Sequence, residues 1–285
     1  MKATCVASMV FILSTSGDAF ASLAVEVFNS GKNSITSVSS VLVYGEKEAI
    51  LFDAQFDTKN SRALVDMVKK KGKKLTKIYI TGGDPDYYFG LPSLLAEFPN
   101  VKVMASPHVV AHINKTKDAK LSYWGPILGD GAPGNLVIPE VYSMNYLTLE
   151  GERIEVKEFN KPNAFLWIPS IKTVFGGELI SYGRHLWMAD TPTKKERTDW
   201  IDALNIVLSL KPKRVIPGHF TEIAPLGTEA VEFTRDYVVR FEQQQVKAKK
   251  ASDLVEAMKS AYPELPVNSG LELGAKVAMG EATWQ

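Results

Sequence analysis

The sequence predicts an α+β domain built from two halves of like plan, and three observations carry that prediction. The chain has 285 residues, enough for one large core that buries roughly three-quarters of the unfolded surface. Hydrophobic residues make up 45% and charged residues 23%, a balance that excludes a disordered polar chain. A plan of strand, turn, strand, helix, strand occurs near residue 40 and again near residue 165.

In the first half, Ser40–Tyr44 (SVLVY) reads as a strand, Gly45–Glu48 as a turn and Ala49–Asp53 (AILFD) as a second strand. A helix follows, with Ala63, Leu64, Met67 and Val68 on one face and Gly72 as its C-terminal stop. Lys77–Thr81 (KIYIT) is the closing strand. In the second half, Phe165–Ile168 is a strand, Pro169–Lys172 a turn and Thr173–Glu178 (TVFGGE) the next strand. Thr193 and Glu196 make a capping box for a helix whose apolar face is Trp200, Ile201, Leu204, Val207 and Leu208. Arg214–Pro217 then leads into Gly218-His219. Helices around Thr228–Phe241 and Ser252–Ala261 are expected on the outside of the same domain. Trp124-Gly125-Pro126 and Asn135–Tyr146 read as an aromatic-containing insertion between the halves.

The N-terminus has a different character. Lys2, the apolar run Cys5–Leu13 and Ala19-Phe20-Ala21 have the form of a signal peptide cut before Ser22. The run is far shorter than the roughly 20 residues a membrane span needs. The expected organisation is therefore residues 1–21 as signal and 22–285 as one domain, with a periplasmic or secreted location. An intact mass that begins at Ser22 is the matching observable. Cys5 is the single cysteine, which excludes a disulfide framework and a cysteine zinc knuckle.

Charge narrows the partners. Lys plus Arg is 33 against 32 for Asp plus Glu, so no basic footprint for nucleic acid emerges. The lysine run from Lys69 to Lys77 sits at a helix C-terminus without interleaved aromatics and reads as a solvated face. A small-molecule substrate or ligand is expected, and the oligomeric state is left open.

In each half a polar residue sits where the chain leaves a strand: Asp53 and the Gly82–Asp86 turn, then Glu178 and His219. Two like halves facing each other bring those ends to one edge, where ligand sites form. In the turn Thr81–Gly90, Asp84 and Asp86 lie two residues apart beside Tyr87. Such carboxylates hold a hard or borderline cation or act as an acid/base pair. A plainer reading has Asp86 capping the short helix and Asp84 accepting from turn amides. His108 and His112, with i, i+4 spacing after Pro107, lack the neighbouring Glu of a zincin and read as surface or cap residues.

These segments together resemble the metallo-β-lactamase superfamily, whose hallmark at this turn is T-H-x-H-x-D-H followed by Gly-Leu at a helix start. Ile80-Thr81, Asp86 and Gly90-Leu91 match it, as do Leu51–Asp53, Phe175-Gly176-Gly177-Glu178 and Pro217-Gly218-His219. The resemblance runs from Ser40 through Phe220 and implies a four-layer αββα sandwich. Gly82, Asp84 and Tyr87 stand where three motif histidines are expected, and Phe159–Asn163 supplies no further histidine. Glu178 replaces the family's bridging aspartate, while His219 is retained.

The implied metal ligands are Asp84, Asp86, Glu178 and His219. Three carboxylates with one imidazole form a hard set that favours one weakly held Mn²⁺, Mg²⁺, Fe²⁺ or Zn²⁺ over a dinuclear zinc pair. The competing implication is a metal-free site in a protein that binds without cleaving. The implied activity is attack by water on an ester, lactone or amide carbonyl, with Asp86 and Tyr87 in catalytic roles. Tyr88, His185 and Trp187 are expected around the substrate pocket.

Overall fold

The computed structural model describes residues 22–159, 163–266 and 269–284. The proposed signal segment 1–21 and residues 160–162, within the Phe159–Asn163 stretch where a further histidine is expected, lie outside the described residues. In chain order the strands are β1 (Ala24–Asn29), β2 (Ser39–Tyr44), β3 (Glu48–Phe52), β4 (Lys74–Ile80), β5 (Lys102–Ala105), β6 (Glu140–Val141), β7 (Tyr146–Leu149), β8 (Glu152–Phe159), β9 (Asn163–Ile168), β10 (Thr173–Phe175), β11 (Ser181–Tyr182), β12 (Arg214–Ile216) and β13 (His219–Phe220). The helices are α1 (Thr58–Lys71), α2 (Pro85–Tyr88), α3 (Leu91–Glu97), α4 (Pro107–Leu128), α5 (Lys194–Ser209), α6 (Glu229–Gln245), α7 (Ala251–Ala261) and α8 (Ser269–Ala278). Among the described residues no helix is long and apolar enough to cross a membrane.

Alternation along the strands builds the layers. One sheet has the order β1-β2-β3-β4-β5-β6 and the other β12-β10-β9-β8-β7. Val41, Val43, Ile50, Phe52 and Tyr79 of the first sheet pack against Leu166, Ile168, Phe175 and Ile216 of the second, forming the central core. The intervening residues Leu42, Ala49, Leu51, Ile78 and Ile80 point the other way, onto Leu64, Val68 and Leu91 of the helices. In β9, Phe165 and Trp167 likewise turn outward onto Trp200, Leu204, Tyr237 and Leu254. Residues of period two thus serve two cores at once, which gives the sheets helical cover on both outer faces. The α6–α8 segment lies on the outside of the second sheet, as expected.

The repeated plan is visible in the pairing. β2 pairs antiparallel with β3, and β3 parallel with β4. β9 pairs antiparallel with β10, and β10 parallel with β12. Gly72 caps α1 at φ 66°, and Thr193 with Glu196 forms the expected capping box on α5.

Two expectations need correction. The strand read as Thr173–Glu178 stops at Phe175, because Gly176 and Gly177 adopt φ of 90° and 66°. A Cβ on Gly177 would stand 2.4 Å from Ala164 O, so only glycine permits that turn. Its effect is to swing Glu178 away from the sheet. Trp124-Gly125-Pro126 is not an insertion loop but the last part of α4. The lysines of the α1 C-terminus are solvent-side, with Lys69 paired to Glu97 and Lys71 to Glu26.

Candidate metal centre

Three side chains from three separate turns converge. Asp86 lies in α2, Glu178 follows the two left-handed glycines, and His219 opens β13. One ligand atom from each falls within 4.8 Å of the others. His219 Nε2 is 3.0 Å from Glu178 Oε1 and 3.4 Å from Asp86 Oδ2. Tyr87 Oη completes the cluster, 3.0 Å from Glu178 Oε1 and 2.9 Å from His219 Nε2.

Proton accounting defines what the cluster holds. His219 Nδ1 is 3.1 Å from the Ser37 carbonyl oxygen, which accepts only, so Nδ1 carries the hydrogen. Nε2 of a neutral ring then presents a lone pair to two carboxylates. Acceptors facing acceptors at 3.0 Å require a proton or a cation between them. Burial drives His219 downward, but Glu178 and Asp86 outweigh it and raise the imidazole above its ordinary value. For Glu178 burial pushes upward, and the opposing His219 charge and hydrogen bond bring the carboxyl below its ordinary value. Burial, then repulsion from Glu178, lifts Asp86 to about 7. The donor set fits one divalent cation, with a single imidazole and two carboxylates around a partly buried face.

The support beneath it is equally specific. Asp53, in the left-handed region at φ 65°, accepts from Thr81 N at 2.8 Å and from Thr81 Oγ1 at 2.7 Å. Its burial holds the carboxyl at about 8. This bond ties the end of β3 to the turn that carries Asp86.

Asp84 departs from the expected ligand set. Its Oδ1 is paired with Lys120 Nζ of α4 at 2.9 Å, and it stands outside the convergent group. It occupies the N-cap position of α2 without making a side-chain cap bond. Lys120 is only 6% exposed, so its ammonium supplies fixed positive charge where a fourth ligand was expected.

The missing histidines have a packing counterpart. A Cβ on Gly82 would stand 2.9 Å from the Tyr87 ring, and one on Gly83 would stand 2.6 Å from the His112 ring. Glycine at these positions makes room for two rings, and those rings fill the space that side chains at 82 and 83 would need.

The surrounding residues only partly follow expectation. Trp187 lines the cavity of about 150 Å³ above the cluster, with Asp84, Asp86, Lys120, Arg184 and Trp284 among its other walls. Tyr88 does not line it; the side chain is buried and its ring meets Phe89 edge-on at 5.1 Å. His185 is also absent from the walls, buried with Nδ1 2.8 Å from Tyr237 Oη in the outer core. His112, read as a surface or cap residue, instead lines an adjoining cavity of about 240 Å³ that shares Asp84, Glu178, Trp187 and Asp190. His108 is exposed on the same helix.

The comparisons agree with this architecture. The family profile described as metallo-beta-lactamase superfamily matches residues 34–219. This chain belongs to the metallo-β-lactamase superfamily. Among solved structures, it is similar to a metallo-beta-lactamase from Pontibacter korlensis, at 18% identity and TM-score 0.55, over 75% of this chain and 94% of that one. It is also similar to a metallo-beta-lactamase family protein from Thermus thermophilus, at 15% identity and TM-score 0.62, over 90% of this chain and 92% of that one. These likenesses establish the fold. No curated protein sequence matches the chain.

The cluster predicts a definite pH response of the metal-free protein. Asp53 and Asp86 are held at about 8 and about 7, against 3.8 for the ordinary carboxyl. A raised folded-state pKa gives stability present below the unfolded value and lost as pH climbs through the folded one. His219 acts with the same sign, because its folded value is also raised. Glu178 has the opposite sign, but its window lies below pH 4.5. Metal-free protein is therefore expected to melt several degrees lower at about pH 8.5 than at about pH 6. Added Mn²⁺ should raise the melting temperature most at the higher pH, where its carboxylate ligands are ionised. A melting temperature that rises with pH in the metal-free protein would contradict the assignment.

Proposed function

We propose that the protein is a hydrolase-type enzyme that directs water onto an ester, lactone or amide carbonyl of a small molecule, at a site where Asp86, Glu178 and His219 would hold one divalent cation. The observation that carries this reading is the convergence of one imidazole and two carboxylates, whose ligand atoms lie within 4.8 Å of one another. A cation bound there supplies Lewis acidity and lowers the pKa of water.

The chain's own residues do the rest. Asp86 would help hold the cation and, as a buried carboxylate facing the cavity, is placed to accept a proton from the attacking water. Tyr87 keeps its phenolic proton, since burial raises it well above its ordinary value, and donates it to Glu178 Oε1, which fixes that carboxylate. The Ser37 carbonyl orients the His219 ring from behind, as a backbone acceptor does for a ligating imidazole. Arg184 lines the same cavity and gives positive potential for a developing oxyanion.

The test is a panel of 4-nitrophenyl esters, lactones and anilides, assayed on stripped protein given Mn²⁺, Fe²⁺ or Zn²⁺ in turn. Turnover is expected on at least one ester or lactone, dependent on the added metal, and reduced roughly 100-fold or more in Asp86→Asn. Binding of such compounds without turnover under every metal would replace this reading by that of a non-catalytic binding protein.

A further inference from the structure

Five aromatic rings from four separate parts of the chain touch in sequence, and four of them line the cavity. Phe56 meets Trp124 at 5.3 Å, Trp124 meets Tyr123 at 4.9 Å, Tyr123 meets Trp284 at 5.6 Å, and Trp284 meets Trp187 at 5.4 Å. The four interplanar angles lie between 72° and 88°. Rings set at near-right angles make the walls of a box rather than a flat patch. Phe56, Trp124, Trp187 and Trp284 line the same cavity as Asp86, Glu178 and His219.

Trp284 closes the belt and is held from two sides. Its Nε1–H donates to Asp190 Oδ1 at 2.8 Å, and Lys120 Nζ lies 5.0 Å from its ring centroid. The lysine is itself fixed by Asp84. Trp284 therefore belongs to the same electrostatic assembly as the cavity wall, although it follows α8 at the far end of the described chain. Phe56 is buried and backs the belt, while Trp124, Trp187 and Trp284 are left partly uncovered, and burial of such surfaces is favourable whenever a complementary surface arrives. Tyr123, in the same belt, is 52% exposed.

Charge and shape then choose the ligand. Asp84, Asp86, Glu178 and Asp190 face the cavity against Lys120 and Arg184, and Asp84 already neutralises Lys120. The four carboxylates outnumber the two cationic side chains, and a bound divalent cation would only bring the site to neutrality, so a charged group on the ligand gains no net attraction. A saturated chain would gain area but none of the edge-to-face geometry that perpendicular rings offer.

We infer that the belt Phe56–Trp124–Tyr123–Trp284–Trp187 is a recognition subsite for an uncharged planar ring carried next to the reacting carbonyl, with Trp284 as its specificity-determining residue. This rests on the carbonyl-directed reading given above. It restricts the substrate class to neutral aryl or arylacyl esters, lactones and amides.

The experiment measures binding alone. Acetophenone and cyclohexyl methyl ketone are neutral ketones of like size that differ in ring planarity, and neither can be hydrolysed. Calorimetric titration of the whole protein is expected to show acetophenone binding about tenfold tighter. Trp284→Ala should cut that preference to about twofold or less, while Trp284→Phe keeps most of it. Equal affinity for the two ketones, no binding of either, or a preference that survives Trp284→Ala would overturn the inference. Tighter acetophenone binding in Trp284→Ala would also overturn it, by showing that the indole occupies the slot rather than forming its wall. Ketone selectivity without ester turnover leaves the subsite standing and removes the hydrolase reading; turnover without selectivity does the reverse.

Discussion

Replacing His219 with alanine is expected to lower affinity for Mn²⁺ or Zn²⁺ by about 100-fold or more and to destabilise the metal-free protein by about 2–3 kcal/mol. The imidazole is the one neutral donor between Asp86 and Glu178 and makes the only nitrogen contact in the convergent group. Without it, two carboxyl groups face each other across a partly buried gap, and the cheapest relief is to protonate one of them. A protonated carboxyl is a poor ligand, so the loss of affinity exceeds that of one donor. The destabilisation has a separate source, since Tyr87 Oη and the Ser37 carbonyl lose their 2.9 Å and 3.1 Å partner. His108→Ala, at an exposed position of α4, is the control and should change neither quantity. Metal titration and thermal melting of the two variants check both parts. An unchanged metal affinity in His219→Ala would remove His219 from the site.

Lys120→Met is expected to cost about 3 kcal/mol and to lower the melting temperature by about 6–12 °C. Its ammonium is 2.9 Å from Asp84, and the lysine is 6% exposed. Methionine fills the stem's volume but leaves the Asp84 carboxylate without its partner, next to Asp86 and Glu178. Breaking one member of a buried pair is costlier than removing both. The double variant Asp84→Asn with Lys120→Met should therefore recover most of the lost stability, giving a coupling of about 3 kcal/mol. Additive losses would mean that the ion pair does not carry the effect.

Much of the fold was legible because its signals are local. The period-two alternation of Val41 to Val43, the left-handed stop at Gly72 and the capping box at Thr193 each act within one element. The convergent group was legible from strand ends, since Asp86 follows β4, Glu178 follows β10 and His219 follows β12. Longer-range facts were not. Nothing around residue 120 distinguishes a lysine that will be buried against Asp84 from the many lysines that stay in solvent. Trp284 is remote in sequence from Tyr123 and Trp187, so no spacing rule could join them. The two histidine misreadings have the same root. The i, i+4 pattern places His108 and His112 near one another on α4 but does not say that His112 reaches the Gly83 turn. The loop that carries His185 looked close to Glu178 in sequence, yet α6 packs against it and draws the ring to Tyr237. Gly82 and Tyr87 are coupled by packing: the ring at 87 needs the absence of a side chain at 82.

The central claim is that three residues hold one cation while Lys120 and the Tyr87 ring stand where further ligation would occur. Elemental analysis of whole protein dialysed against micromolar Mn²⁺ or Zn²⁺, in wild type and in Glu178→Gln, tests it most directly. One ion per chain in the wild type, easily removed by a mild chelator and absent from Glu178→Gln, is the predicted result. Two ions per chain that resist the chelator, or metal retained undiminished in Glu178→Gln, would contradict it.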